Sequence, residues 1–219
     1  MAFINAFRER QRSRRLFAVA SLVVFACAGT ASAKEADTTS ESRATCVAPL
    51  IEQPFLSFDD ERDYVLAPGG SFEDSLLAGW SLEGGADVVA GNEPFNVRGL
   101  SDSNSLVLPA GASATSPTMC VDLHWPTLRF VARQTGEKDA ELEVEGLYPE
   151  ADEKHATWHG AKKFKAKRKD GWGLTEDVKL SPDRGGKFAG GRPVALRFTN
   201  TSDQGSWQID NVYVDPRCR

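Results

Sequence analysis

His155 and His159 stand four residues apart, and the chain has only one other histidine, His124. On a helix that spacing sets two metal-ligating imidazoles side by side. On a strand the pair shares a face but lies roughly 13 Å apart at about 3.3 Å of rise per residue, too far for one metal unless the chain bends. Gly160 and the strand-like residues around it favour the strand, so the two are read as surface histidines. Carboxylates are abundant, yet glycoside hydrolysis needs two of them about 5 to 10 Å apart, one with a raised pKa. No spacing in this sequence selects such a pair. Gly-x-Ser-x-Gly, His-Glu-x-x-His and Walker-type loops do not occur.

Two other groups have chemistry to offer. Lys162, Lys163, Lys165, Lys167, Arg168 and Lys169 form a basic patch, with Phe164 set among them. Read for function, it is an anchor for an acidic polysaccharide or a teichoic-type polymer. Read for architecture, it is an edge hairpin whose lysines prevent edge-to-edge pairing. Trp125, Trp158 and Trp172 lie in polar surroundings, where an exposed indole stacks on the apolar face of a sugar, whereas Trp80 and Trp207 fall in core-like patterns.

The compartment follows from the first 33 residues. Five arginines between Arg8 and Arg15 precede an apolar run, Leu16 to Ala28, of 13 residues, and Ala31-Ser32-Ala33 offers an A-x-A exit. This is the layout of a secretory signal, and the run is shorter than the ~20 residues a membrane span needs. Val24-Phe25-Ala26-Cys27 comes close to a lipoprotein box, but Phe25 is larger than the residue usual there, so cleavage after Ala33 is preferred. The segment carries five Arg and one Glu, so removing its +4 from the chain's −5 leaves −9 over 186 residues. An acidic exported chain is repelled by nucleic acid and by anionic headgroups.

Cys46, Cys120 and Cys218 remain in the mature chain. In an oxidising compartment two of three pair. Cys218 sits one residue from the C-terminus, where fraying devalues a bridge, so the expected disulfide is Cys46–Cys120, stabilising by ~4 kcal/mol on chain entropy alone.

The elements that must position these groups are strands. Residues 34–45 contain no large apolar side chain and read as a flexible leader, and 46–219 reads as one domain. Leu128, Phe130 and Ala132 alternate with Arg129 and Arg133. Leu142, Val144 and Tyr148 alternate with Glu141, Glu143 and Glu145. Val194, Leu196 and Phe198 repeat the pattern. Such alternation marks half-buried antiparallel strands. Shorter strands are expected at 64–66, 80–82, 87–89, 105–108, 119–123 and 178–180, punctuated by Gly and Pro. Trp207 and Ile209 are out of phase with Val212 and Val214, which requires a bulge at Asp210-Asn211. No helical face runs beyond two turns.

Three stretches carry a resemblance. Ala67-Pro68-Gly69-Gly70-Ser71-Phe72-Glu73 before Gly79-Trp80 resembles the opening of galactose-binding-like jelly rolls, many carbohydrate-binding modules among them. Trp207-Gln208-Ile209-Asp210-Asn211-Val212-Tyr213-Val214-Asp215 resembles their closing strand. Gly91-Asn92-Glu93-Pro94-Phe95, Ser103-Asn104-Ser105-Leu106 and Ser113–Pro117 with Cys120-Val121 resemble secreted actinobacterial proteins of unknown function. The resemblance implies an all-β, antiparallel two-sheet jelly-roll sandwich and a glycan or cell-envelope polymer as ligand. It also implies a structural calcium held by oxygen ligands near the first and last strands, with Glu73 and Asp210 as the residues to watch. The expectation is a secreted, non-catalytic binding or surface-structure module. The competing readings are a hydrolase using an unrecognised carboxylate pair and a purely structural envelope protein.

Overall fold

The computed structural model describes residues 50–74, 79–121, 127–136, 140–149, 155–165, 171–180 and 192–215. Residues 1–45, with Cys27 and the expected signal and leader, Cys46, His124, Trp125, Lys167, Arg168, Lys169 and Cys218 lie outside these residues, and so does the side chain of Cys120; the expected disulfide therefore falls outside them too. The described residues belong to one compact unit, Ser42–Arg219. Among them, no helix is long and apolar enough to cross a membrane.

A single 3-10 turn at Leu56–Phe58 precedes β1 (Val65–Leu66), β2 (Ser81–Glu83), β3 (Asp87–Ala90), β4 (Asn104–Leu108), β5 (Ser113–Thr115) and β6 (Met119–Val121). There follow β7 (Thr127–Thr135), β8 (Glu141–Pro149), β9 (Ala156–Lys165), β10 (Gly173–Leu174), β11 (Val178–Lys179), β12 (Arg192–Asn200) and β13 (Ser206–Asp215). One sheet runs β10-β7-β13-β4-β3, with β1 beside β13 and β11 beside β7; the other runs β2-β5-β12-β8-β9, with β6 beside β12. Every pairing is antiparallel. The chain changes sheets at most of its connections, so the two sheets are wound together as a jelly roll, as the sequence implied.

The alternating residues supply the filling. Leu106, Leu128, Phe130 and Ile209 of the first sheet face Leu142, Val144, Leu196 and Phe198 of the second, all fully buried. Phe130 and Phe198 meet edge to face at 5.2 Å across the gap. Trp80 and Trp207 are core residues, as read, and the Trp80 indole N–H donates to the Pro68 carbonyl at 2.7 Å. A second, smaller core lies outside the first sheet. There Phe55 and Tyr64 of the N-terminal segment cover Val131 and Tyr213, which alternation had turned away from the main core.

The phase slip in the last strand is a bulge. The β13–β7 register shifts between Asp210 and Tyr213, and Asn211 takes a left-handed φ of 52°. At the bulge β13 also changes its other neighbour, from β4 beside Trp207–Ile209 to β1 beside Tyr213 and Val214. The turn at 67–72 packs on it. The Val212 N–H donates to the Gly70 carbonyl and the Ala67 N–H to the Val212 carbonyl, each at 2.9 Å. A Cβ on Gly70 would stand 2.8 Å from the Val212 carbonyl oxygen, so only glycine permits this contact. The opening and closing motifs of the sequence thus meet backbone to backbone.

Two strands were not anticipated, β5 and β10, and β9 was expected only as extended backbone in an edge hairpin. β9 ends its sheet, and most of its residues are exposed or half-buried on both faces. An edge strand wet on both sides shows no alternation to read.

Candidate functional site

A pocket of about 320 Å³ opens at one edge of the sandwich, where β9 of one sheet faces β10 of the other. That lies within the range of small-ligand sites. Ala132, Arg133 and Gln134 of β7, Trp207 of β13, residues 162–165 of β9 and residues 171–176 line it. Phe164 closes its inner end against Phe130, with the rings 5.5 Å apart. Trp172, half-buried, lies beneath the Arg133 guanidinium at 4.9 Å, and Arg133 Nε donates to Gln208 Oε1.

Of the basic patch, Lys162, Lys163 and Lys165 line this pocket. Lys162 donates to Glu176 at 2.9 Å and to the Asp177 carbonyl at 3.1 Å, and its ammonium lies 5.4 Å from the Phe164 ring centroid. Lys163 pairs with Glu141 at 2.8 Å on the far side of the strand. Among the described residues the pocket lining carries one carboxylate, Glu176. What the described lining offers is an indole surface, a guanidinium, amide groups and ammoniums around a partly apolar hollow.

The other tryptophan candidates fall elsewhere. Trp158 lies half-buried on β9, with Arg197 over its ring at 4.2 Å. Arg197 is itself held by Glu145 at 2.7 Å, so one face of that indole is taken. Trp125 lies outside the described residues. His155 precedes β9 and His159 is within it, on the extended backbone expected, with the His159 ring 5.8 Å from Tyr148.

Glu73 and Asp210 flank the start of β4, but in different states. Glu73 stands in a turn, not a strand, and its carboxylate accepts four donors: the Ser103 and Asn104 N–H groups at 2.8 Å, Asn104 Nδ2 at 3.1 Å and the Ser103 hydroxyl at 3.3 Å. Those bonds occupy the lone pairs a cation would need, so in this arrangement Glu73 fastens the loop to β4. Asp210 is fully buried in the bulge, and burial pushes its carboxyl up to about 8, against donors from Asn211 N–H at 2.7 Å and Glu93 N–H at 3.4 Å. Glu93, also buried, accepts from the Val97 N–H at 2.7 Å and from Asn211 Nδ2 at 3.3 Å. Asn92 Oδ1, Asp102 Oδ2 and Asn211 Oδ1 are buried acceptors without a donor among the described residues. Among the described residues no three His, Cys, Asp or Glu side chains converge as a metal site. A cation here must therefore draw on amide oxygens as well as on Asp210, and the orphaned acceptors are of that hard-oxygen kind. Sequence reasoning had named Asp210 but not Asn92, Asp102 or Asn211 as possible ligands, because their burial comes from the loop folding over the bulge.

The fold and the pocket together define a jelly-roll sandwich domain with a lined cleft at its edge. No sequence-family model and no curated protein sequence matches the chain. Solved structures are similar to it over part of the chain. A family 22 carbohydrate-binding module, the xylan-binding domain of Paenibacillus barcinonensis xylanase 10C, is 13% identical, with 68% of this chain and 94% of that one covered and a TM-score of 0.44. The Clostridium thermocellum endo-1,4-β-D-xylanase 10B modules, solved with xylohexaose, are 12% identical over 63% of this chain, at a TM-score of 0.45. There the likeness spans 26% of the xylanase modules' length. The K1 cleaved adhesin domain of Lys-gingipain from Porphyromonas gingivalis is 15% identical over 68% of this chain and 96% of that one, at a TM-score of 0.45.

Proposed function

We propose that the protein is a secreted glycan-binding module acting without catalysis, its ligand a glycan or a cell-envelope polymer. The observation that carries this reading is the edge pocket, where Trp172, Trp207, Arg133 and Gln134 line a hollow whose one carboxylate among the described residues, Glu176, is already paired. Aromatic surface beside fixed polar donors is what sugar recognition needs, because a sugar ring has an apolar face and a hydroxylated rim. The order of the opening and closing motifs along the chain supports the same reading. A glycan array on the exported protein, run with calcium and with chelator, tests it. Binding that Trp172→Ala weakens supports the pocket as the site, and an array without signal in either condition rejects it.

A structural calcium belongs to the same proposal. Asp210, Asn211, Asn92 and Asp102 are the side chains that would hold it. The ion would supply the positive charge that the buried Asp210 carboxylate lacks, and it would fix the loop of residues 91–102 over the bulge.

A further inference from the structure

We infer that the edge pocket selects an anionic glycan, one bearing carboxylate or phosphate groups along its chain. This rests on the reading of the pocket as a glycan site and names the class of glycan. The protein is acidic, with a formal charge of −5. Yet among the described residues the pocket lining holds Arg133, Lys162, Lys163 and Lys165 against Glu176 alone. Within that group the charges divide. Lys162 is matched by Glu176 and Lys163 by Glu141. Arg133 makes no ion pair among the described residues, while Lys165 stands across the ladder from Glu141 and already within its field, so Arg133 is the cation left to a ligand.

Arg133 is the more telling. Its guanidinium is half-buried, laid on the Trp172 ring at 4.9 Å and tied through Nε to Gln208. Stacking and tether fix its plane, while its terminal amino groups have no hydrogen-bond partner among the described residues. A guanidinium held this way is a pre-organised fork for a carboxylate or phosphate, which it grips with two parallel hydrogen bonds at little further entropic cost. Lys165 is exposed at the end of β9, and a mobile ammonium there adds attraction over a longer range.

Protection of an exposed sheet edge explains lysines on β9, which ends its sheet, but it does not explain Arg133. The β10 ladder reaches β7 only at Val131 and Ala132, but a side chain that guards an edge stands free in solvent, whereas Arg133 is stacked on Trp172 and tethered to Gln208. An arginine stacked on a tryptophan at the rim of the pocket, with no carboxylate partner among the described residues, is placed to receive an anion.

The test titrates the full exported protein by calorimetry at low and moderate salt with three probes: an oligogalacturonate, its fully methyl-esterified form, and a glycerol-phosphate oligomer. The acid form is expected to bind at least tenfold more tightly than the ester, with affinity falling as salt rises. Arg133→Gln is expected to remove most of that preference and Arg133→Lys to restore part of it, with melting curves confirming that each variant folds. A response to the glycerol-phosphate oligomer in place of the uronate assigns the anion as phosphate. Equal affinity for acid and ester, unaffected by salt, overturns the anionic inference and leaves the glycan reading standing. No binding of any probe, together with a silent neutral-glycan array, overturns both.

Discussion

Arg62 and Asp177, 115 residues apart in sequence, meet in two parallel hydrogen bonds of 2.8 Å each. The same guanidinium grips Asp60 through Nε and Nη2, also at 2.8 Å. Arg129 of β7 donates to Asp60 as well, and Tyr64 adds its hydroxyl at 2.6 Å. One arginine thus ties the N-terminal segment to the turn just before β11 and holds the smaller core of Phe55, Tyr64, Val131 and Tyr213 against the first sheet.

Arg62→Ala should therefore destabilise the domain by about 2 kcal/mol, the scale of charge-assisted hydrogen bonds lost at a partly buried site. Arg62→Lys should recover little, because an ammonium cannot grip two carboxylates as a planar fork does. Urea denaturation followed by tryptophan fluorescence measures both. A wild-type midpoint in either variant would show that the clamp adds nothing.

The same cluster sets a pH dependence. Burial alone would raise the Asp60 carboxyl, but the donors Arg62, Tyr64 and Arg129 outweigh it and hold it well below the usual carboxylate range. The bond from Arg62 likewise lowers Asp177. An acid whose folded pKa lies below its unfolded value contributes stability above the unfolded value of about 4, and that stability is lost as pH falls through the folded pKa. Denaturation midpoints should therefore fall progressively below about pH 4, and Asp60→Asn, already weakened at pH 7, should fall less steeply. Parallel wild-type and Asp60→Asn curves from pH 7 down to pH 2 would contradict this.

Gly70→Ala should cost about 1 to 3 kcal/mol, the usual range for forcing a methyl into a filled space. The atoms it would strike are backbone, Val212 O at 2.8 Å and Ala67 O at 3.0 Å, and backbone cannot turn aside. Thermal melting of the variant checks it, with Gly85→Ala as the contrast: a Cβ there meets nothing within 4 Å, so its loss comes only from a positive φ of 86°.

Calcium should raise the melting temperature. A ligand that binds only the folded state stabilises by ~2.7 kcal/mol at a hundredfold excess over its Kd, and Asp210→Ala should abolish the response. Superimposable melts in excess calcium and in chelator would leave the bulge as architecture alone.

Trp158→Ala should leave pocket binding unchanged, since its indole lies outside the pocket lining and has one face taken by Arg197. Trp172→Ala should weaken it roughly tenfold, equivalent to ~1.4 kcal/mol. Titrating both variants with the best array ligand separates the two tryptophans; the reverse order of losses would move the site to the outer face of β8, β9 and β12.

What the sequence by itself determined follows from local rules. Period-two alternation at Leu128–Ala132, Leu142–Tyr148 and Val194–Phe198 required strands with one buried face, and the slipped phase between Ile209 and Val212 required a bulge. Side chains alternate across any strand whatever its neighbours, so these features are legible in one dimension. The pocket is not. Arg133 is one outward residue among several until β10 pairs beside it, sets Trp172 under its guanidinium and leaves β9 standing opposite. Nor could the sequence tell Glu73 from Asp210, both acids of the resembling motifs. Ser103 and Asn104 satisfy the first, while the loop of residues 91–102 seals the second beneath unpaired oxygens. Burial, pairing and orphaned polar atoms are properties of which segments meet, and segments ~30 to 120 residues apart meet only when the sheets close.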